Sequence, residues 1–152
     1  QIDSKDMNVL QKIIIQCCEI KGDIVSKDEN ENEFRMILNF GHTVGHGLES
    51  FNEYKNLLHG EAIFYGMKCA LYLSNKFGKL SDKEYMKSIQ FISKFDLPKL
   101  SIDDKDTFIN FVKNDKKFRD KKIRFILLDE LGKSRISEDI SFNHIKESLS
   151  VL

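Results

Sequence analysis

One stretch of the chain concentrates residues able to do chemistry. It is Glu31 to Glu49, ENEFRMILNFGHTVGHGLE. Wound on a helix at about 100° per residue, Arg35, Asn39, His42 and His46 fall within roughly 60° of one another. Ile37, Phe40, Val44, Leu48 and Phe51 take the opposite side. One face is therefore apolar, and the other carries Arg, Asn, His and His in a column. An ordinary solvated helix face is the plainer reading of such a pattern. Two features weigh against it. The exposed faces elsewhere, as in Ser81 to Lys94, are rich in Lys and Glu. This face has no Lys and holds two of the four histidines in the chain. Gly41, Gly45 and Gly47 also lie in the same stretch, each costing about 1 kcal/mol relative to Ala inside a helix. Close approach of another backbone or of a ligand would compensate for them.

His42 and His46, four residues apart, can both reach one metal ion from a helix. The intervening TVG lacks the Glu that serves as the base in zinc proteases, so that mechanism is excluded. His-x3-His is by itself a weak signal. His59, within His59-Gly60-Glu61-Ala62, stands at the expected start of another helix, from which it can point across to a neighbour. A surface or capping histidine is the equally ready alternative.

The elements that must position these residues read as helices. Apolar residues recur at three- and four-residue steps from about Asp6 to Asp28. A second helical pattern covers about Phe34 to Phe51, and Asn52 to Asn56 reads as a loop. A third helix runs from near His59 to Gly78, a good C-cap residue. Ser81-x-x-Glu84 is a capping box opening a fourth helix to about Phe95, which Leu97-Pro98 ends. Ser101-Ile-Asp-Asp104 opens a shorter helix to about Asn114. Ile123 to Leu128 and Ser134 to Ser137, around Gly132, read as a β-hairpin. A last helix covers about Phe142 to Leu149. The expected fold is mainly α with one small β-hairpin, in a single domain spanning residues 1–152.

Composition bounds the rest. The chain has 152 residues, 41% of them apolar, with 24 basic and 24 acidic side chains. A net charge of zero gives no electrostatic case for nucleic acid. No apolar run approaches the ~20 residues that span a bilayer, and no secretory signal pattern is present. The three cysteines, Cys17, Cys18 and Cys69, have no zinc-finger spacing and are expected as buried reduced thiols of a cytoplasmic protein. Twelve Phe and no Trp point to a Phe-packed interior. The chain opens on Gln1 rather than Met, which reads as a piece of a longer protein.

The spacing Lys21-x3-Val25, Asp28-Glu-x-Glu31-x3-Arg35-x2-Leu38-Asn39-x-Gly41-His42-Thr43-x-Gly45-His46-x2-Glu49 and His59-Gly60-Glu61-Ala62 closely resembles the 3-dehydroquinate synthases and their sugar-phosphate-cyclase relatives. Asp115-Lys116-Lys117, with the hairpin after it, extends the resemblance more loosely. The resemblance implies the helical, metal-binding C-terminal domain of an NAD- and zinc-dependent enzyme of the shikimate pathway. That enzyme, a carbon–oxygen lyase acting on phosphates, converts 3-deoxy-arabino-heptulosonate 7-phosphate to 3-dehydroquinate and phosphate. It implies a separate N-terminal NAD-binding domain and usually a homodimer. His42 and His59 are implied as two ligands of zinc (or cobalt), the third being a glutamate upstream of the chain. Glu31 and His46 are implied as proton acceptors. Lys21, Arg35, Asn39 and Lys116 (or Lys117) are implied as contacts to a phosphorylated sugar-acid substrate, with Arg35 gripping the carboxylate. A related cyclase with another product, or a metal-dependent polyol dehydrogenase, is the alternative within the superfamily. The chain alone is expected to be nearly inactive.

Overall fold

The computed structural model describes residues 6–30, 33–52, 57–114 and 123–152. The chain divides into two compact units, Gln1–Leu38 and Asn39–Leu152.

The first unit is built on α1 (Met7–Lys27). Asp6 caps it, its carboxylate accepting from the Asn8 amide at 2.9 Å and the Val9 amide at 3.4 Å. Asp28 closes the helix and also ties down the chain beyond it. Its Oδ2 accepts from the backbone amides of Glu33 and Arg35, both at 2.9 Å. The Arg35 guanidinium donates to the Glu29 carbonyl at 2.9 Å. A 3₁₀ segment, Phe34–Asn39, begins at this knot.

The single helix expected from Phe34 to Phe51 is not formed. The 3₁₀ segment stops at Asn39, and α2 (His42–Phe51) starts afresh after Gly41. Gly41 has φ +82°, a left-handed conformation that cannot propagate a right-handed helix. The continuous column of Arg35, Asn39, His42 and His46 on one helix is corrected accordingly.

The second unit packs around α3 (His59–Phe77), which touches α2, α4 (Asp82–Ile92), α6 (Phe142–Ser148) and strand β1 (Phe125–Glu130). Its main core joins Val44 and Leu48 of α2, Tyr65, Cys69 and Leu73 of α3, and Phe108 and Val112 of α5 (Lys105–Asn114) with Phe125, Leu127 and Ile145. Phe51 meets Phe108 edge-on with ring centroids 5.8 Å apart. The Phe-packed interior is borne out for Phe108 and Phe125, while Phe91, Phe95 and Phe111 remain exposed. β1 pairs antiparallel with β2 (Lys133–Ser137), with Phe125 opposite Ser137 and an irregularity between Leu128 and Glu130. Ser74, fully buried, donates to the Ala70 carbonyl at 2.6 Å and accepts from the Leu128 amide at 2.9 Å. One buried hydroxyl thus donates and accepts at once and ties α3 to the hairpin.

The local start signals are realised. Ser81 caps α4 with Glu84 reaching back. Asp104 caps α5, accepting from the amides of Asp106 (3.0 Å) and Thr107 (2.9 Å). Ser141 and His144 also cap α6, a start that the sequence reading did not mark, and the His144 ring stacks on Phe77 at 4.2 Å. The expectation of three buried thiols holds only for Cys69; Cys17 and Cys18 are exposed. They lie on α1, which has no buried residue. Among the described residues, no helix is long and apolar enough to cross a membrane.

Candidate metal centre

The crossing of α2 over α3 builds the centre. Gly66 of α3 lies so close to α2 that a Cβ there would meet the Gly41 carbonyl oxygen at 2.0 Å and the Gly45 amide at 2.8 Å. A Cβ on Gly41 would meet the Met67 amide at 2.7 Å, and one on Gly45 the Ile63 side chain at 2.7 Å. Gly47 faces α5 instead, against Val112 and Phe108. The cost of Gly41 and Gly66 is thus offset by backbone contact between the two segments, a contact that side chains would prevent, while Gly45 and Gly47 make room for side chains of α3 and α5.

Contact this close brings the first residue of α3 alongside the first turns of α2. His42 opens α2 directly after the Gly41 turn, and His46 follows one turn on. His59 opens α3, where the Glu61 carboxylate accepts from the Leu58 amide at 2.8 Å and so secures the helix start. The three imidazoles form a nearly equilateral group. Ring centroids lie 5.3 Å apart for His42–His46, 5.7 Å for His42–His59 and 5.9 Å for His46–His59. Val44 and Leu48, on the other side of α2, are fully buried.

Two of the rings have Nδ1 beside an oxygen. His42 Nδ1 is 3.3 Å from the Phe40 carbonyl, and His59 Nδ1 is 3.0 Å from Glu49 Oε1. An Nδ1–H donated to oxygen leaves the lone pair on Nε2, the form in which imidazole binds a metal. Donor atoms of His46, Glu49 and His59 all lie within 4.8 Å of one another. The donor set of neutral imidazole nitrogens with a nearby carboxylate fits zinc or cobalt.

Of the residues singled out from the sequence, His42, His46 and His59 come together here. Asn39 ends the 3₁₀ segment three residues before His42. Lys21, exposed on α1, and Arg35 belong to the first unit. Glu31, Lys116 and Lys117 lie outside the described residues. Sequence reasoning gave no role to Glu49. The available signal was its position three residues after His46 and seven after His42, on the same helix face.

Comparisons with known proteins bear on the family and the fold. The family described as 3-dehydroquinate synthase C-terminal matches residues 1–118. The 3-dehydroquinate synthase of Thermodesulfovibrio yellowstonii is 40% identical over 152 residues, 99% of this chain and 42% of that protein. The one from Campylobacter fetus is 39% identical over 146 residues, 95% of this chain and 42% of its own length. The chain therefore spans about two fifths of these relatives. A solved 2-deoxy-scyllo-inosose synthase, complexed with carbaglucose-6-phosphate, NAD+ and Co2+, superposes with a TM-score of 0.79 at 26% identity, covering 95% of this chain and 42% of that one. ValA, a 2-epi-5-epi-valiolone synthase from Streptomyces hygroscopicus with NAD+ and Zn2+ bound, shares the fold at TM-score 0.70 and 22% identity, over 95% of this chain and 39% of its own. With the match over residues 1–118 and the histidine cluster at the α2–α3 crossing, the chain belongs to the 3-dehydroquinate synthase C-terminal family.

Proposed function

We propose that this chain forms the metal-binding half of a 3-dehydroquinate synthase, acting with an N-terminal NAD-binding domain. The reaction is the conversion of 3-deoxy-arabino-heptulosonate 7-phosphate to 3-dehydroquinate with loss of phosphate, a carbon–oxygen lyase step. The observation that carries this reading is the grouping of His42, His46 and His59 with centroid separations under 6 Å. Those residues stand in the LNxGHTxGHxxE and HGEA patterns. Identities near 40% to 3-dehydroquinate synthases support it further.

In this reading His42 and His59 hold zinc or cobalt through Nε2, with a glutamate from the N-terminal domain as third ligand. When bound, the metal supplies Lewis-acid stabilisation of charge on the substrate's adjacent oxygens, and NAD supplies reversible hydride transfer. His46, beside the two ligands, accepts a proton near the departing phosphate. Glu31 is the second proton acceptor. Arg35 holds the substrate carboxylate, for which its planar fork suits bidentate contact. Lys21, Asn39 and Lys116 (or Lys117) hold the remaining polar and phosphate groups. The substrate's negative charge is met by these local cations, since the chain's net charge is zero. The full enzyme is a cytoplasmic homodimer in this reading, and three unpaired thiols accord with a reducing compartment.

A related cyclase with a different product is the second reading, favoured by the likeness to 2-deoxy-scyllo-inosose synthase. Arg35 argues for a carboxylate-bearing substrate and hence for dehydroquinate.

Zinc titration of the chain tests the assignment. His42→Ala and His59→Ala are expected each to reduce affinity at least about tenfold, because each removes a ligand. His46→Ala is expected to change it less than about threefold, a ceiling set by assigning it no metal bond. Loss in His42→Ala and His46→Ala, with His59→Ala unaffected, would mean a local helical site and would sink the assignment.

A further inference from the structure

Glu49 is a motif residue with no part in the reading above. Its side chain is only 13% exposed, whereas that of His59, its partner, is 59% exposed. A carboxylate held from water this far needs a strong donor, and His59 Nδ1 supplies one at 3.0 Å. His59 in turn stands at the first turn of α3, next to Leu58, which is 72% exposed. Packing alone does little to hold a largely solvent-facing ring in one rotamer, so the carboxylate is the group that orients it.

We infer that Glu49 is a positioning residue, which fixes the His59 ring and its tautomer so that Nε2 faces the metal. The inference rests on the metal assignment proposed above and deepens it. His42 is served in the same manner by the Phe40 carbonyl at 3.3 Å. The two ligands, on different helices, therefore hold matching tautomers before any metal arrives. The cluster of His46, Glu49 and His59 admits one rival, in which Glu49 is itself a ligand. Distance favours the hydrogen bond. The 3.0 Å observed is an ordinary N–H···O separation, a contact that stands without a metal between the two groups.

The test compares the unaltered chain with Glu49→Gln, Glu49→Ala and His59→Ala. Imidazole ¹⁵N NMR of the metal-free chain at mildly alkaline pH reads the His59 tautomer directly. Zinc titration and the visible spectrum with cobalt read the metal site. Glu49→Ala is expected to mix the His59 tautomers and weaken zinc about 10- to 100-fold. Glu49→Gln keeps an oxygen acceptor. It is expected to retain the Nδ1–H tautomer and to restore most of the affinity, with the cobalt spectrum unchanged. An unaltered tautomer and affinity in Glu49→Ala would overturn the inference. So would a Glu49→Gln variant that loses as much affinity as His59→Ala with an altered cobalt spectrum, which would make Glu49 a ligand. If His59→Ala itself leaves zinc binding intact, the metal assignment fails, while the NMR result still reports whether Glu49 sets the tautomer.

Discussion

Replacing Gly66 by Ala should break the device that assembles the centre. The added Cβ would lie 2.0 Å from the Gly41 carbonyl oxygen, 2.8 Å from the Gly45 amide and 3.0 Å from the Gly41 carbonyl carbon. All three neighbours are backbone atoms, so no side chain can swing away. Ordinary non-bonded contact begins near 3.5 Å, so α2 and α3 must separate by about 1.5 Å along that line. Overpacking of this kind costs about 1–3 kcal/mol, and rigid backbone on both sides places Gly66→Ala near the upper end. At about 2–4 °C per kcal/mol for a chain of this size, a loss of about 3 kcal/mol lowers Tm by about 6–12 °C. The same displacement moves His42 and His46 away from His59 by far more than the roughly 0.2 Å that metal–ligand bonds tolerate. Zinc affinity should therefore fall at least about tenfold. Gly60→Ala is the matched control, since a Cβ there meets nothing within 4 Å. In the first turn of α3, where propensity counts for less than in a helix interior, it should change stability by less than about 1 kcal/mol. Thermal and denaturant unfolding followed by circular dichroism, together with zinc titration, measures both variants. A Gly66→Ala protein destabilised by less than about 1 kcal/mol, or binding zinc as well as the parent, would refute the idea that this helix crossing positions the histidines.

Two further outcomes concern buried and capping groups. Burial pushes the Cys69 thiol up to about 12, and its sulfur donates to the Ser148 carbonyl at 3.4 Å. A thiol reagent should therefore label Cys17 and Cys18 in the native chain and reach Cys69 only after unfolding, which mass spectrometry of the labelled peptides reads. The hydrogen bonds from the Thr107 hydroxyl and backbone hold the Asp104 carboxyl below its ordinary range. A depressed folded value contributes stability above the ordinary carboxylate range and loses it as pH falls through the folded value. Asp104→Asn, which retains a capping oxygen, should flatten the stability profile between about pH 5 and 2 while changing stability little at pH 7; an unchanged acid limb would contradict this.

Local signals in the sequence were sufficient wherever their partners lay within one helical turn. Asp6, Ser81 and Asp104 mark the starts of α1, α4 and α5, and each bonds amides two or three residues on. The His42–His46 pair was legible for the same reason, as was the hairpin from its apolar run and Gly132, whereas His59-Gly60-Glu61-Ala62 drew its meaning from the family resemblance. The 3.6-residue period from Phe34 to Phe51 misled because periodicity does not record one left-handed residue. At Gly41 the chain turns out of the helix and restarts, so His42 opens α2 instead of lying within a longer helix. The exposure of Cys17 and Cys18 was equally invisible, because an apolar stripe states only that a face can be buried, not what buries it. Tertiary structure alone decided that Gly66 would let α2 touch α3, that His59 would thereby meet two histidines 13 and 17 residues away in sequence, and that Glu49 would reach its ring. These are distances between elements, set by backbone packing that side-chain periodicity within either helix does not encode.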